Sequence, residues 1–249
     1  MKTIPWYILV LVNMITAEES VSDTNSFFNH ELMLKNNLVA ISQMDSTIKM
    51  ELKYATTDNF MNKNLYGSFN QCYLRKEAAE KLVAAQKYLT ESHPEYHLLV
   101  YDALRPRRVQ QQMWDMVKGT PQQQYVANPE HGSIHNYGAA VDLTIADKNG
   151  KPIDMGTPFD YFDVKAQPRY ETFFIDSSKI SGSDLTKRIK IKIRNDIRNS
   201  GLLTQNALEN RLLLRDIMKK AGFIPLASEW WHFNAFSKNE TRKRFTIVE

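Results

Sequence analysis

Apolar positions recur along this chain in two rhythms. Residues 47–54, T-I-K-M-E-L-K-Y, alternate polar with apolar side chains, which predicts a strand with one buried face. Residues 97–104 (H-L-L-V-Y-D-A-L), 139–146 and 229–236 are expected to be strands as well. Residues 74–92 instead place Ala78, Leu82, Ala85 and Leu89 three or four apart among strong helix formers, the spacing of a helix with a buried stripe. That helix must stop at His93, because the following Pro94 disfavours helical geometry in its predecessor. A second helix is expected over 107–118, opened beside Pro106. A third is expected over 206–221, with Leu213, Ile217 and Met218 available to the core and Gly222 suited to its cap.

The segments between these elements are polar. Residues 18–37 lack a period and read as a polar N-terminal extension, 59–71 are rich in Asn and Gly and read as a loop, and D-K-N-G at 147–150 reads as a turn. Strands and helices interleave without an internal repeat. The expected fold class is therefore α+β, with helices packed against a mainly antiparallel sheet in a single domain over 38–249. One segment is ambiguous: I-K-I-K-I at 189–193 alternates like a strand, whereas Ile189, Ile193 and Ile197 are spaced like a helix.

Composition acts mainly by exclusion. With 249 residues, 43% hydrophobic and 24% charged, the chain can bury one substantial core and is unlike disordered or fibrous sequences. The net charge of +4 is mild, and the basic stretch at 187–198 stands alone, so no nucleic-acid partner is expected. No Gly-rich phosphate loop follows a strand, which removes kinase and dinucleotide readings. Cys72 is the only cysteine, so neither an internal disulfide nor a thiolate metal site is available.

The chain begins M-K-T-I-P-W-Y-I-L-V-L-V-N-M-I-T-A-E-E: a basic start, an apolar segment and a small residue before an acidic pair. This is the pattern of a signal peptide over 1–17, cut near Ala17, and implies export, to the periplasm, with no stable membrane span in the mature chain. The alternative is an uncleaved membrane anchor. The apolar stretch of about 12 residues, broken by Pro5 and Asn13, is short against the roughly 20 a bilayer needs.

The densest chemistry lies in H-G-S-I-H-N-Y-G-A-A-V-D-L-T, residues 131–144. A glycine at 138 can take a positive φ and turn the chain sharply between His135 and a strand bearing Asp142. Imidazole and carboxylate are both zinc ligands, and a catalytic zinc takes three protein ligands and keeps a position open. Of the other histidines, His30 lies in the polar leader, His93 reads as a surface residue before proline, and His97 opens a strand. His232 sits in E-W-W-H-F, three residues after Glu229, so that a base stands beside a ligand. In a regular strand residues i and i+3 face opposite ways, so Glu229 must precede regular pleating or sit beside a bulge. Arg105, at the end of a strand in Y-D-A-L-R-P-R, can balance an oxyanion, with Asp102 placed to orient it.

Two elements match a known pattern in order. S-I-H-N-Y-G-A-A-V-D (133–142) fits S-x-H-x-x-G-x-A-x-D, and E-W-W-H (229–232) fits E-x-W-H; the chain thereby resembles the zinc D-alanyl-D-alanine peptidases. Y-A-T-T-D-N-F (54–60), Y-D-A-L-R-P (101–106) and D-M-G-T-P-F-D-Y-F (154–162) look like their D-alanyl-D-alanine dipeptidase branch, which includes enzymes of vancomycin resistance. The resemblance spans about 38–236. It implies one Zn2+ per chain on His135, Asp142 and His232, with Glu229 as general base and Arg105 stabilising the tetrahedral intermediate. It also implies that Ser133 helps hold the carboxylate of a small dipeptide substrate. Two rivals share the features: a peptidoglycan stem D,D-carboxypeptidase of the same family, and a non-catalytic zinc-containing binding module. The sequence departs from the family in a long connection around 163–203, expected to be either a solvated insertion or a reshaped rim of the site.

Overall fold

The computed structural model of the chain describes residues 30–181 and 185–249. The signal-peptide segment and most of the polar extension lie outside them. Among the described residues no helix is long and apolar enough to cross a membrane. The elements run α1 (His30–Lys35), β1 (Leu38–Ala40), α2 (Ile41–Met44), β2 (Lys49–Met50), β3 (Tyr73–Arg75), α3 (Lys76–Ser92), β4 (His97–Asp102) and α4 (Arg107–Val117). They continue with β5 (Ala140–Ala146), α5 (Glu171–Ile175), α6 (Lys187–Ser200), α7 (Gln205–Lys220), β6 (Ile224–Pro225), β7 (His232–Asn234) and α8 (Lys238–Arg244). Strands β1 and β3 form a small antiparallel pair, and the main sheet has the order β2-β4-β5-β7-β6. Only the β2–β4 pairing is parallel. The result is α+β with a mainly antiparallel sheet.

The two faces of this sheet have different tasks. Val141, Leu143 and Ile145 of β5, with Leu98 and Val100 of β4, enter the core beneath α3 and α7, where they meet Leu82, Leu89, Leu214 and Met218. The intervening positions, Asp142 and Thr144, line cavities on the opposite face, as the two-residue repeat of a strand requires. Helix α3 buries Ala78, Leu82, Ala85 and Leu89, the stripe read from the sequence. Helix α1 lies within the stretch read as a polar extension, and its Met33 is buried with Leu38, Leu104 and Val248.

Two expected strands are much shorter than their patterns. The segment 47–54 pairs only at Lys49 and Met50 and then enters a helical turn at Lys53–Ala55, which swings Tyr54 into the site described below. The segment 229–236 pairs only over His232–Asn234, so Glu229 precedes regular pleating. The ambiguous segment is helical: α6 buries Ile193 completely, and the Thr186 hydroxyl caps it by accepting from the Ile189 N–H.

Candidate metal centre and active site

His135 rides on a single helical turn, Ile134–Tyr137, whose ends the sequence fixes. Ser133 and Asn136 form a reciprocal capping box at its start. Gly138 closes it at φ 66°, and a Cβ there would lie 2.7 Å from Leu38 Cδ2, so the reversal into β5 favours glycine. Two bonds hold the turn against the Arg105 segment: Arg105 N–H donates to His135 O (3.1 Å), and Asn136 Nδ2 donates to Arg105 O (2.6 Å). Asp142 and His232 are directly opposed across the β5–β7 ladder, so both side chains project to the same side. On the other flank of β5, a bulge at Tyr101 resets the alternation of β4 and pairs Asp102 with Asp142.

The three ligand candidates converge. His135 Nε2 lies 3.1 Å from His232 Nδ1 and 3.3 Å from Asp142 Oδ2, and His232 Nδ1 lies 2.9 Å from Asp142 Oδ1. A tetrahedron with metal–ligand distances near 2.0–2.1 Å has edges of about 3.3 Å. The remaining ring nitrogens are already committed. His135 Nδ1–H donates to the Ala103 carbonyl (2.7 Å), and His232 Nε2–H donates to Asn234 Oδ1 (3.0 Å). Each neutral ring therefore turns a lone pair toward the other and toward a carboxylate, a set satisfied by a cation among them. In the metal-free protein the three groups act on one another by charge instead. Burial alone would raise the Asp142 carboxyl, but His135 and His232 hold it far below the usual carboxylate range. Burial disfavours a charged His232, yet the hydrogen bond and charge of Asp142 raise its pKa above the ordinary imidazole value.

Arg105 stands beside this group, its Nη2 3.7 Å from Asp142 Oδ2. Its guanidinium is aimed from several sides. Nε donates to Asp102 Oδ2 (2.9 Å), Nη2 donates to the same oxygen, and Nη1 donates to Gln110 Oε1 (3.1 Å). The Tyr54 ring lies 4.9 Å from it, in cation–π contact. Asp102 is in turn held by the Tyr66 hydroxyl.

A cavity of about 250 Å³ opens over these groups, lined also by Ser133, Glu229, Asp160, Phe162 and Tyr125. Ser133 spends part of its hydroxyl on the His135 N–H (3.4 Å). Burial, reinforced by repulsion from Asp142, raises Glu229 above the ordinary glutamate value against the pull of His232, His135 and Arg105. Glu229 is held in place by its neighbour, since Trp230 donates from its backbone to Ala166 O (3.2 Å) and from its indole to Thr157 Oγ1 (2.9 Å).

All six residues singled out in the sequence, Arg105, Ser133, His135, Asp142, Glu229 and His232, line this one cavity. The sequence reading missed four supporting groups. Asn234 orients His232, and its place two residues along the same strand, on the same face, was the available signal. Tyr54 and Asp160 fall in the two outlying stretches that carry the family resemblance but had been given no role. The Tyr54 hydroxyl donates to Asp160 Oδ2 (3.0 Å), and burial, with Asp142 nearby, raises the Asp160 carboxyl well above its ordinary value. Gln110 lies on the inward face of α4 and carried no signal of its own.

The chain is also similar to known proteins. A family profile described as D-ala-D-ala dipeptidase matches residues 34–178 and 191–248. A D-alanyl-D-alanine dipeptidase of Escherichia coli is 31% identical over 196 residues, covering 79% of this chain and 83% of the relative. Proteins of the same name from Synechocystis (28% over 187 residues, 65% of this chain and 68% of the relative) and Enterococcus faecium (25% over 203 residues, 75% and 85%) also match. The chain belongs to the D-Ala-D-Ala dipeptidase family of peptidases.

Proposed function

We propose that this chain hydrolyses D-alanyl-D-alanine to two D-alanines, with one zinc ion held by His135, Asp142 and His232. The observation that carries the reading is the meeting of two imidazole nitrogens and a carboxylate within 3.3 Å of one another, with Glu229 and a braced guanidinium on the same cavity. Zinc bound by such a set lowers the pKa of water toward neutrality and polarises a carbonyl oxygen.

The chain's own residues do the rest. Glu229 accepts the proton of the attacking water, and its raised basicity suits it to hand that proton to the departing amine. Arg105 faces the oxygen that gains charge as the peptide carbonyl becomes tetrahedral, and Asp102, Gln110 and Tyr54 keep it from rotating away. A free dipeptide is a zwitterion. Its ammonium end beside Asp160 would favour the charged form of that carboxyl, and Ser133 can donate to its carboxylate.

The test is amine release from D-Ala-D-Ala with and without chelator, beside L-Ala-L-Ala and a stem pentapeptide. Chelator-sensitive release from the D,D dipeptide alone is expected, and preferential cleavage of the pentapeptide would replace this reading with a carboxypeptidase. The basic start and apolar segment before Ala17 support export to the periplasm and a role in cell-wall turnover. N-terminal sequencing of the secreted fraction, expected to begin near Glu18, tests that part.

A further inference from the structure

The expected long connection at 163–203 includes the stretch where the matched profile breaks off, between 178 and 191, while residues 191–200 of α6 lie within the profile. Its principal element, α6, does not lie idle in solvent. It grips the segment 161–165 at four points. The Tyr161 hydroxyl donates to Asp196 Oδ1 (3.0 Å), and Lys192 Nζ pairs with Asp163 Oδ1 (3.1 Å). Ile193, wholly buried, shares an apolar cluster with Val164, and Lys165 Nζ donates to Ser200 O (2.7 Å). Phe162 is the residue of this run without such an attachment, and it is the one that faces the catalytic cavity.

The Phe162 ring is fixed on its other side too. Tyr125, from the segment after α4, stacks on it with centroids 4.8 Å apart and planes at 16°. Phe60 meets it edge-on at 4.8 Å. Lys192 holds the residue next to Phe162 through Asp163, and the stacked Phe162–Tyr125 pair forms part of the cavity wall. An exposed lysine–aspartate pair contributes only about 0–1 kcal/mol by itself, but here it is one of several contacts that lock a single short segment.

We propose that α6 is a specificity element: by holding Phe162 against Tyr125 it closes the cavity beyond the second residue of the substrate, and so limits cleavage to dipeptides. The inference rests on the dipeptidase reading above. Its effect falls on the choice between substrates and leaves the chemical step intact, because none of the four attachments touches the metal ligands, Glu229 or Arg105.

The experiment compares kcat/KM for D-Ala-D-Ala with that for D-Ala-D-Ala-D-Ala in zinc-loaded protein. Two variants loosen the wall: Lys192→Ala combined with Asp196→Asn, and replacement of residues 187–200 by a Gly/Ser linker. A well-placed steric or apolar contact discriminates by roughly 10- to 200-fold, so the tripeptide-to-dipeptide ratio should rise about tenfold or more in either variant that folds. Lys192→Arg should retain the wild-type ratio. A wild-type ratio in the folded double variant overturns the proposal. Failure of the dipeptidase reading is distinguishable, since the unaltered protein would then not cleave D-Ala-D-Ala at all.

Discussion

The Nε2 atom of His135 stands 3.1 Å from the Nδ1 atom of His232, and in the neutral tautomers that a bound cation would select both nitrogens present lone pairs to it. Each ring has already given its N–H elsewhere, one to the Ala103 carbonyl and the other to Asn234. Because Asn234 sets which nitrogen of His232 is bare, Asn234→Ala should weaken zinc binding about 10- to 100-fold, the usual cost of losing an outer partner of a histidine ligand. Competition against a chelator of known affinity reads this directly. Unchanged affinity would mean that the ring is oriented without Asn234.

Arg105 is expected to tolerate no substitution, lysine included. A lysine lacks the planar fork that engages Asp102 and Gln110 together. Both Arg105→Ala and Arg105→Lys should lower kcat on D-Ala-D-Ala about 100- to 1,000-fold while metal analysis still finds one zinc per chain. A variant that loses the metal along with activity would assign Arg105 to the scaffold instead.

Glu229→Gln keeps size and shape but cannot accept the proton from water. Turnover of D-Ala-D-Ala should fall by at least about 100-fold with zinc content unchanged. Near-normal turnover would hand the base role to another group.

Asp160 predicts a conflict between stability and function. In the metal-free protein, burial followed by repulsion from Asp142 makes its folded carboxyl hold a proton to higher pH than the unfolded chain does. The folded state therefore binds more protons between about pH 3.9 and that raised value, and the stability present below this window is lost as pH climbs through it. Asn fits the φ of 58° at this position and carries no charge. Metal-free Asp160→Asn should thus melt above the unaltered protein at pH 7, the gap closing toward pH 4, and the zinc-loaded variant should show a raised KM for D-Ala-D-Ala. Equal melting temperatures at pH 7 would contradict the assignment.

Gly138→Ala forces a side chain into φ 66° and against Leu38 Cδ2. The loss should exceed about 1 kcal/mol in denaturant unfolding, with zinc affinity falling in parallel because the same turn carries His135.

The chemistry of the site was more legible than its framework. His135, Asp142, Glu229 and His232 stand in two compact motifs whose residue types leave few other uses, so their meeting in one cavity could be expected before any fold was known. Strand lengths were not legible, because alternation records which side chains are buried without recording where the backbone stops pairing. Residues 51–54 continue the pattern of β2 only because Tyr54 turns inward to reach Arg105. The choice at 189–197 was decided by tertiary burial of Ile193 and by the Thr186 cap, neither of which the local alternation contains. Asp160 was hidden for a related reason: it becomes a cavity carboxylate through a left-handed backbone and a distant tyrosine.

The pairing of Asp142 with His232 joins residues 90 positions apart through a strand only three residues long. An ion bound there acts as a clasp on β7, fastening a short, weakly laddered segment to the centre of the sheet. Any ligand that binds only the assembled form favours it in proportion to occupancy. Withdrawal of the metal should therefore loosen the β6–β7 hairpin before the remainder, exposing 224–234 to solvent exchange while α3, α7 and β4 stay closed.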